Sequence, residues 1–116
     1  MLNKKRRIGR KYFPEILTKG KRHNSTHLLM YVVKTDSSNS TNDSQFSFSV
    51  SKKVAKKAVD RNKYRRRGYS VISRHTNKIK TGYLCFFSFK KGVGSMKFPE
   101  LEKEILELLK VSNMLE

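Results

Sequence analysis

Apolar and polar side chains alternate strictly between residues 46 and 51: Phe46, Phe48 and Val50 against Ser47, Ser49 and Ser51. Period two is the mark of a half-buried strand. Residues 27–34 (HLLMYVVK) and 83–89 (YLCFFSF) are apolar on both faces. Such runs suit covered strands, and the second suits a central one. Residues 21–23 predict a short edge strand. Elsewhere the period is helical. Over residues 12–19, Phe13, Ile16 and Leu17 fall on one face, Pro14 is tolerated in the first turn, and Gly20 is a stop. Phe98, Leu101, Ile105, Leu108 and Leu109 recur at three- and four-residue spacing and predict an amphipathic core helix. Ser95 is its candidate N-cap, and the early Glu100, Glu102 and Glu104 suit its dipole.

The remaining helix follows the alternating strand directly. It is expected from Lys52 to about Ser73, with Val54, Ala58, Tyr64, Gly68 and Ile72 near one stripe and Ala55, Val59 and Asn62 beside it. Gly68 costs such a helix about 1 kcal/mol relative to Ala. The element order is α-β-β-β-α-β-α, a two-layer α+β domain spanning residues 1–116. The length fits one modest core. Residues 36–44 (DSSNSTNDS) read as a mobile hairpin loop. Residues 1–11 form a basic arm, either a solvated tail or a phosphate clamp that orders on binding.

Charge sharpens this picture. The formal net charge is +18, from 27 Lys or Arg and nine Asp or Glu. Residues 1–94 hold 24 of the cations and four of the acids, a net of +20, while residues 95–116 hold three and five, a net of −2. The final helix therefore stands outside any polyanion-binding surface. From Lys52 to Arg67 there are nine cations and one acid, Asp60. Like charges at that density repel unless a polyanion offsets them. Nucleic acid is the first candidate partner. A membrane is not expected, because no apolar run approaches the roughly 20 residues that span a bilayer. Cys85 is alone, excluding an intrachain disulfide, and the polar, basic start carries no secretory signal, so a cytoplasmic protein is expected. Five Tyr and seven Phe can anchor a small core and leave rings for base stacking.

Catalytic chemistry is missing. His23, His27 and His75 have no Cys or carboxylate at ligand spacing, Asp60 reads as an intrahelical ion-pair partner, and the glutamates of the last helix do not converge on a metal. There is no phosphate-cradling Gly motif. The chain is expected to bind RNA rather than cleave it alone. On composition and size a structural ribosomal protein fits equally well. A DNA-compacting protein fits less well, because no dimerising surface is evident.

The segment VSKKVAKKAVDRNKYRRR resembles the signature of the protein subunit of bacterial ribonuclease P: a strand ending in Val-Ser-Lys-Lys, then a helix with Arg-Asn-Arg and further cations. The matching positions are Val50, Ser51, Lys52, Lys53, Arg61, Asn62, Lys63, Arg65 and Arg66. Lys63 replaces the third arginine of the motif and so loses bidentate geometry. Ser47 stands where Gly is usual, Gly68 where a larger apolar residue is usual, and Tyr69 where Arg is common. The resemblance implies a left-handed β-α-β crossover, a departure from the usual rule. It also implies a partner RNA that holds magnesium and removes the 5′ leader of precursor tRNA. Lys52, Lys53, Lys56, Lys57, Arg61, Asn62, Lys63, Arg65 and Arg66 would dock on that RNA. Phe13, Leu17 and Tyr31 would line a cleft for the single-stranded leader. No DNA or membrane partner is implied.

Overall fold

The computed structural model of the protein describes residues 7–8, 12–34 and 44–115. The elements are α1 (Phe13–Lys19), β1 (Lys21–Asn24), β2 (Leu28–Lys34), β3 (Gln45–Ser49), α2 (Ala58–His75), β4 (Tyr83–Phe89) and α3 (Phe98–Val111). The expected α+β class and element order hold. Positions 36–43 of the expected loop, and positions 1–6 and 9–11 of the basic arm, lie outside the described residues.

The four strands form one sheet in the order β1-β2-β4-β3. β2 pairs antiparallel with β1 and β4, and β3 pairs parallel with β4. A parallel pair needs a crossover connection, and α2 supplies it. The apolar-on-both-faces pattern of β4 is explained by its central place. Cys85, Phe87 and Phe89 face one side with Phe46, Phe48, Leu28 and Met30, where α2 and α3 cover them with Val71, Ile72, Leu101, Ile105 and Leu109. Leu84 and Phe86 face the other side, where α1 places Ile16 and Phe13. That second face is covered only in part, because α1 has seven residues. Phe48 sits at the centre of the main core. Its ring stacks on Phe87 at 4.7 Å between centroids and meets Tyr69 edge-on at 5.1 Å.

Three local expectations are corrected. The basic helix begins at Ala58, not Lys52. The backbone N–H groups of Val54 and Ala55 both donate to the Ser51 carbonyl, closing a turn that brings these two small apolar residues against the core. Lys57 is then extended, at φ −85° and ψ 133°, and the helical hydrogen bonds start from its carbonyl. Ser95 does not cap α3. It closes a short 3₁₀ turn, Val93–Ser95, and Lys97 occupies the N-cap position. On α1 the expected apolar face splits: Ile16 is fully buried, but Leu17 is 54% exposed.

Arg7 and Ile8, before α1, are tied to the sheet. Arg7 bridges Phe46 in parallel, the Ile8 N–H donates to the Phe46 carbonyl at 3.1 Å, and Ile8 is buried. This part of the arm thus covers the free edge of β3, a location a flexible-tail reading did not anticipate.

Candidate nucleic-acid interface

Two surfaces on opposite faces of the sheet gather the residues singled out from the sequence. The first is basic and belongs to the turn before α2 and to α2 itself. Lys52, Lys53, Lys56, Lys57, Asn62, Lys63 and Arg66 are exposed, while Arg61 and Arg65 are half-buried. The late helix start divides the set, with four lysines on the turn and the remainder on the helix. Arg61 joins the two parts. Its Nη1 donates to the carbonyls of Ala55 at 2.9 Å and Lys56 at 2.8 Å. Charge-assisted bonds to carbonyls are stronger than neutral ones, so Arg61 holds the lysine turn against the helix. Arg65 donates to Asn62 Oδ1, which fixes the guanidinium on the helix surface. Asp60 makes no ion pair among the described residues, contrary to expectation. It stands in the first turn of α2, where the helix dipole favours an anion.

Beside this surface lies a groove of about 530 Å³ lined by Arg7, Val59, Asn62, Arg65, Arg66 and Tyr69. Arg7 lies over the Tyr69 ring, 5.2 Å from guanidinium to centroid, and its buried Nε has no hydrogen-bond partner among the described residues. Tyr69, which replaces a common arginine of the motif, thus carries a cation on its face. Among the described residues no carboxylate lines the groove.

The second surface is aromatic and lies on the partly covered face. Phe86 is its centre. Phe13 meets the Phe86 ring edge-on at 5.5 Å, and Tyr31 lies 6.0 Å from it on the paired position of β2. All three rings are half-buried. Ser47 of β3 flanks Phe86 on the other side, where a small polar residue leaves the ring accessible. Leu17 stays outside this cluster. Phe86 of β4 takes the place in the cluster that Leu17 was expected to fill. The sequence signal for Phe86 was the run 83–89, apolar on both faces, which hid a face assignment that only strand pairing reveals.

The histidines are paired after all, with carboxylates from α3. His27 Nδ1 lies 2.9 Å from Glu104 Oε1, and Glu104 Oε2 accepts from the His27 backbone N–H at 2.9 Å and from Ser25 Oγ at 2.6 Å. His75 Nε2 lies 3.2 Å from Glu102 Oε2, and Arg74 Nη1 reaches the same oxygen at 3.4 Å. Serine, glutamate and histidine meet here without forming a nucleophile. The Ser25 hydroxyl donates directly to the carboxylate and has no imidazole base. The cluster locks the β1–β2 turn onto α3. Partial burial pushes the Glu104 carboxyl up, but hydrogen bonds from Ser25 and His27 outweigh it, and the net shift is below the usual carboxylate range. For Glu102 the bond from His75 leads, opposed by slight desolvation and aided by Arg74, again with a net lowering.

A depressed carboxylate stabilises the fold above its unfolded pKa, and that contribution is lost as pH falls through the folded value. Glu104→Gln should therefore lower the melting temperature at pH 7. The gap to the parent protein should close below about pH 4, where glutamate protonates in unfolded chains. Melting curves across pH 3–7 measure it, and a gap that persists unchanged at pH 3 would exclude the carboxylate's charge as the cause. Cys85 is fully buried, which pushes its thiol far up, so it is an inert core residue. Among the described residues no three His, Cys, Asp or Glu side chains gather to hold a metal ion.

Comparison with known proteins supplies the family. The family model described as Ribonuclease P matches residues 1–112. The ribonuclease P protein component of Microcystis aeruginosa is 28% identical over 91% of this chain and 88% of its own length. That of Synechocystis is 34% identical over 71% of this chain and 64% of its own length. Among solved structures, the RNase P protein of Staphylococcus aureus superposes with a TM-score of 0.83 at 20% identity, over 96% of this chain and 98% of that one. The Thermotoga maritima protein superposes at 0.80 and 23% identity, over 90% and 96%. At those identities the structures speak for the fold, and it is the match over nearly the full sequence that separates this chain from a ribosomal protein of similar composition: it belongs to the ribonuclease P protein family.

Proposed function

We propose that the protein serves the ribonuclease P holoenzyme by two contacts, docking on the RNA subunit through the α2 surface and holding the 5′ leader of precursor tRNA on the aromatic floor around Phe86. The observation that carries this reading is the placement of the two surfaces. The cations of α2 lie beyond the face that carries Phe48 and Phe87, whereas Phe13, Tyr31 and Phe86 lie on the opposite face. A domain so divided can be gripped by a folded RNA on one side and accept a single strand on the other. The docking side offers exposed Lys and Arg for phosphates and A-form shape. The other side offers ring faces for unstacked bases.

Hydrolysis falls to the RNA. Among the described residues there is no activated nucleophile: Glu102 and Glu104 are engaged with histidines, Glu15 and Asp60 stand in the first turns of α1 and α2, and the other glutamates are spread along α3. Magnesium would be held by the RNA subunit and substrate, where it would activate the attacking water. This chain's residues would position the RNA and the leader. We place the assembly in the cytoplasm, and among the described residues no helix is long and apolar enough to cross a membrane.

Reconstitution tests the reading. Protein alone should leave precursor tRNA intact, and addition of the matching RNA subunit with magnesium should give cleavage. In the same system Arg65→Ala with Arg66→Ala should weaken RNA-subunit binding. It should also flatten the dependence of log affinity on log salt by roughly 1.5 units, at about 0.7–0.9 per phosphate contact. Arg61→Ala belongs to another class, because it releases the lysine turn and should lower the melting temperature as well. Cleavage by RNA-free protein would overturn the division of labour, and an unchanged salt slope would remove Arg65 and Arg66 from the interface.

A further inference from the structure

We propose that the edge of the sheet remote from α2 carries a separate binding site for RNA backbone phosphates, built by Lys19, Lys21 and Lys34. This inference rests on the ribonuclease P reading for the class of its ligand, but not on the α2 surface or the aromatic floor. The three lysines come from different elements: the end of α1, the first residue of edge strand β1 and the last residue of β2. They converge on a groove of about 390 Å³ whose remaining wall includes Tyr83 and the Ser112–Asn113 turn after α3.

Two features favour an anion. First, every one of these lysines is exposed, and none makes a side-chain hydrogen bond or ion pair among the described residues. Among the described residues no Asp or Glu lines the groove, so nothing in its described wall offsets their mutual repulsion. Second, the rest of the wall can add uncharged donors. Tyr83 and Asn113 belong to it, and Asn113 is in the left-handed region at φ 64°, while the Ser112 hydroxyl beside them already donates to the Leu109 carbonyl at 3.0 Å. Edge strands often carry lysine simply to block pairing with another chain. That role would account for Lys21 alone. It does not account for Lys19 and Lys34, which lie on other elements and close the same groove.

Position says what the site adds. The sheet order puts β1 and β3 at opposite edges, and α2 follows β3. α2 packs over β3, and α3 packs against α2, β1 and β2, so the groove lies apart from α2 on the far side of α3. The site therefore engages a second segment, either of the RNA subunit or of precursor tRNA, through the same phosphate chemistry.

The test uses reconstituted holoenzyme and the triple variant Lys19→Gln, Lys21→Gln, Lys34→Gln. Two salt titrations are run, one for protein binding to the RNA subunit and one for holoenzyme binding to precursor tRNA. The slope of log affinity against log salt should shrink by roughly two to three units in one of them. Which titration changes identifies the RNA, and the triple Lys→Arg variant should keep the parent slope. All three positions are exposed, so the melting temperature should hold. Should both slopes equal the parent's in the variant while parent protein still supports cleavage, the lysine site is refuted and the family function stands. Failure of parent protein to support cleavage would instead count against the functional reading itself.

Discussion

Gly68→Ala should destabilise the protein, although helix propensity says it should do the reverse. In an isolated helix the change gains about 1 kcal/mol. In the folded protein a Cβ at this position would lie 2.6 Å from two atoms of the Phe48 ring. The ring cannot withdraw cheaply. It is stacked on Phe87 at 4.7 Å, lies 5.9 Å from Phe89 and is met edge-on by Tyr69. Forcing a methyl group into a filled core typically costs about 1–3 kcal/mol. Strain exceeds propensity over most of that range, so the net expectation is a loss of up to about 2 kcal/mol. For a domain of this size that is a fall of several degrees in melting temperature. Thermal unfolding of the free variant measures it. A rise would mean that α2 can move away from β3 without penalty. The same contact explains why glycine stands where the family usually has a larger apolar residue: here Phe48 occupies that volume.

Phe86→Ala should cut the holoenzyme's affinity for precursor tRNA with a long leader by roughly five- to 150-fold, leaving affinity for mature tRNA nearly unchanged. The range corresponds to about 1–3 kcal/mol for one lost stacking contact. Phe86 is the sharper target than Phe13 or Tyr31 because both of those rings rest on it. The competing account makes Phe86 a core ring alone. Truncating a buried phenylalanine costs about 3–5 kcal/mol, and both RNAs would then lose binding together as the fold weakens. Tyr31→Leu, which retains an apolar side chain, separates the two accounts. It should keep the melting temperature and still reduce leader-dependent affinity. Equal losses for leader-bearing and leaderless RNA at an unchanged melting temperature would sink the leader-cleft assignment.

Local pattern was sufficient for most of the architecture. Alternation in residues 46–50, the apolar runs of β2 and β4, and the three- and four-residue spacing of α3 each depend on a periodicity that backbone geometry imposes on near neighbours. The +20 of residues 1–94 and the cation run around Arg61–Asn62 likewise pointed to RNA without reference to the fold. Where the basic helix starts was not legible. Lys52 to Lys57 suit a helix locally, and it is the burial of Val54 and Ala55 against the core that bends this segment into a turn.

What only the tertiary structure decided are the contacts between residues distant along the chain. Glu104 meets His27 across 77 positions and Glu102 meets His75 across 27, so histidines that look unpartnered in sequence are held by α3. Arg7 reaches Tyr69 because Arg7 and Ile8 are held at the edge of β3. Phe86 joins Phe13 and Tyr31 because strand register, not its own neighbours, puts it on the face away from α2 and α3. Lys19, Lys21 and Lys34 converge because α1 ends where β1 begins and β1 pairs back on β2. The sequence by itself determined which elements form and that their partner is a polyanion, since periodicity and charge are properties of the chain as written. Which side chains share a site depended on pairing and packing, because distance in space is set by the register of strands and the faces of helices.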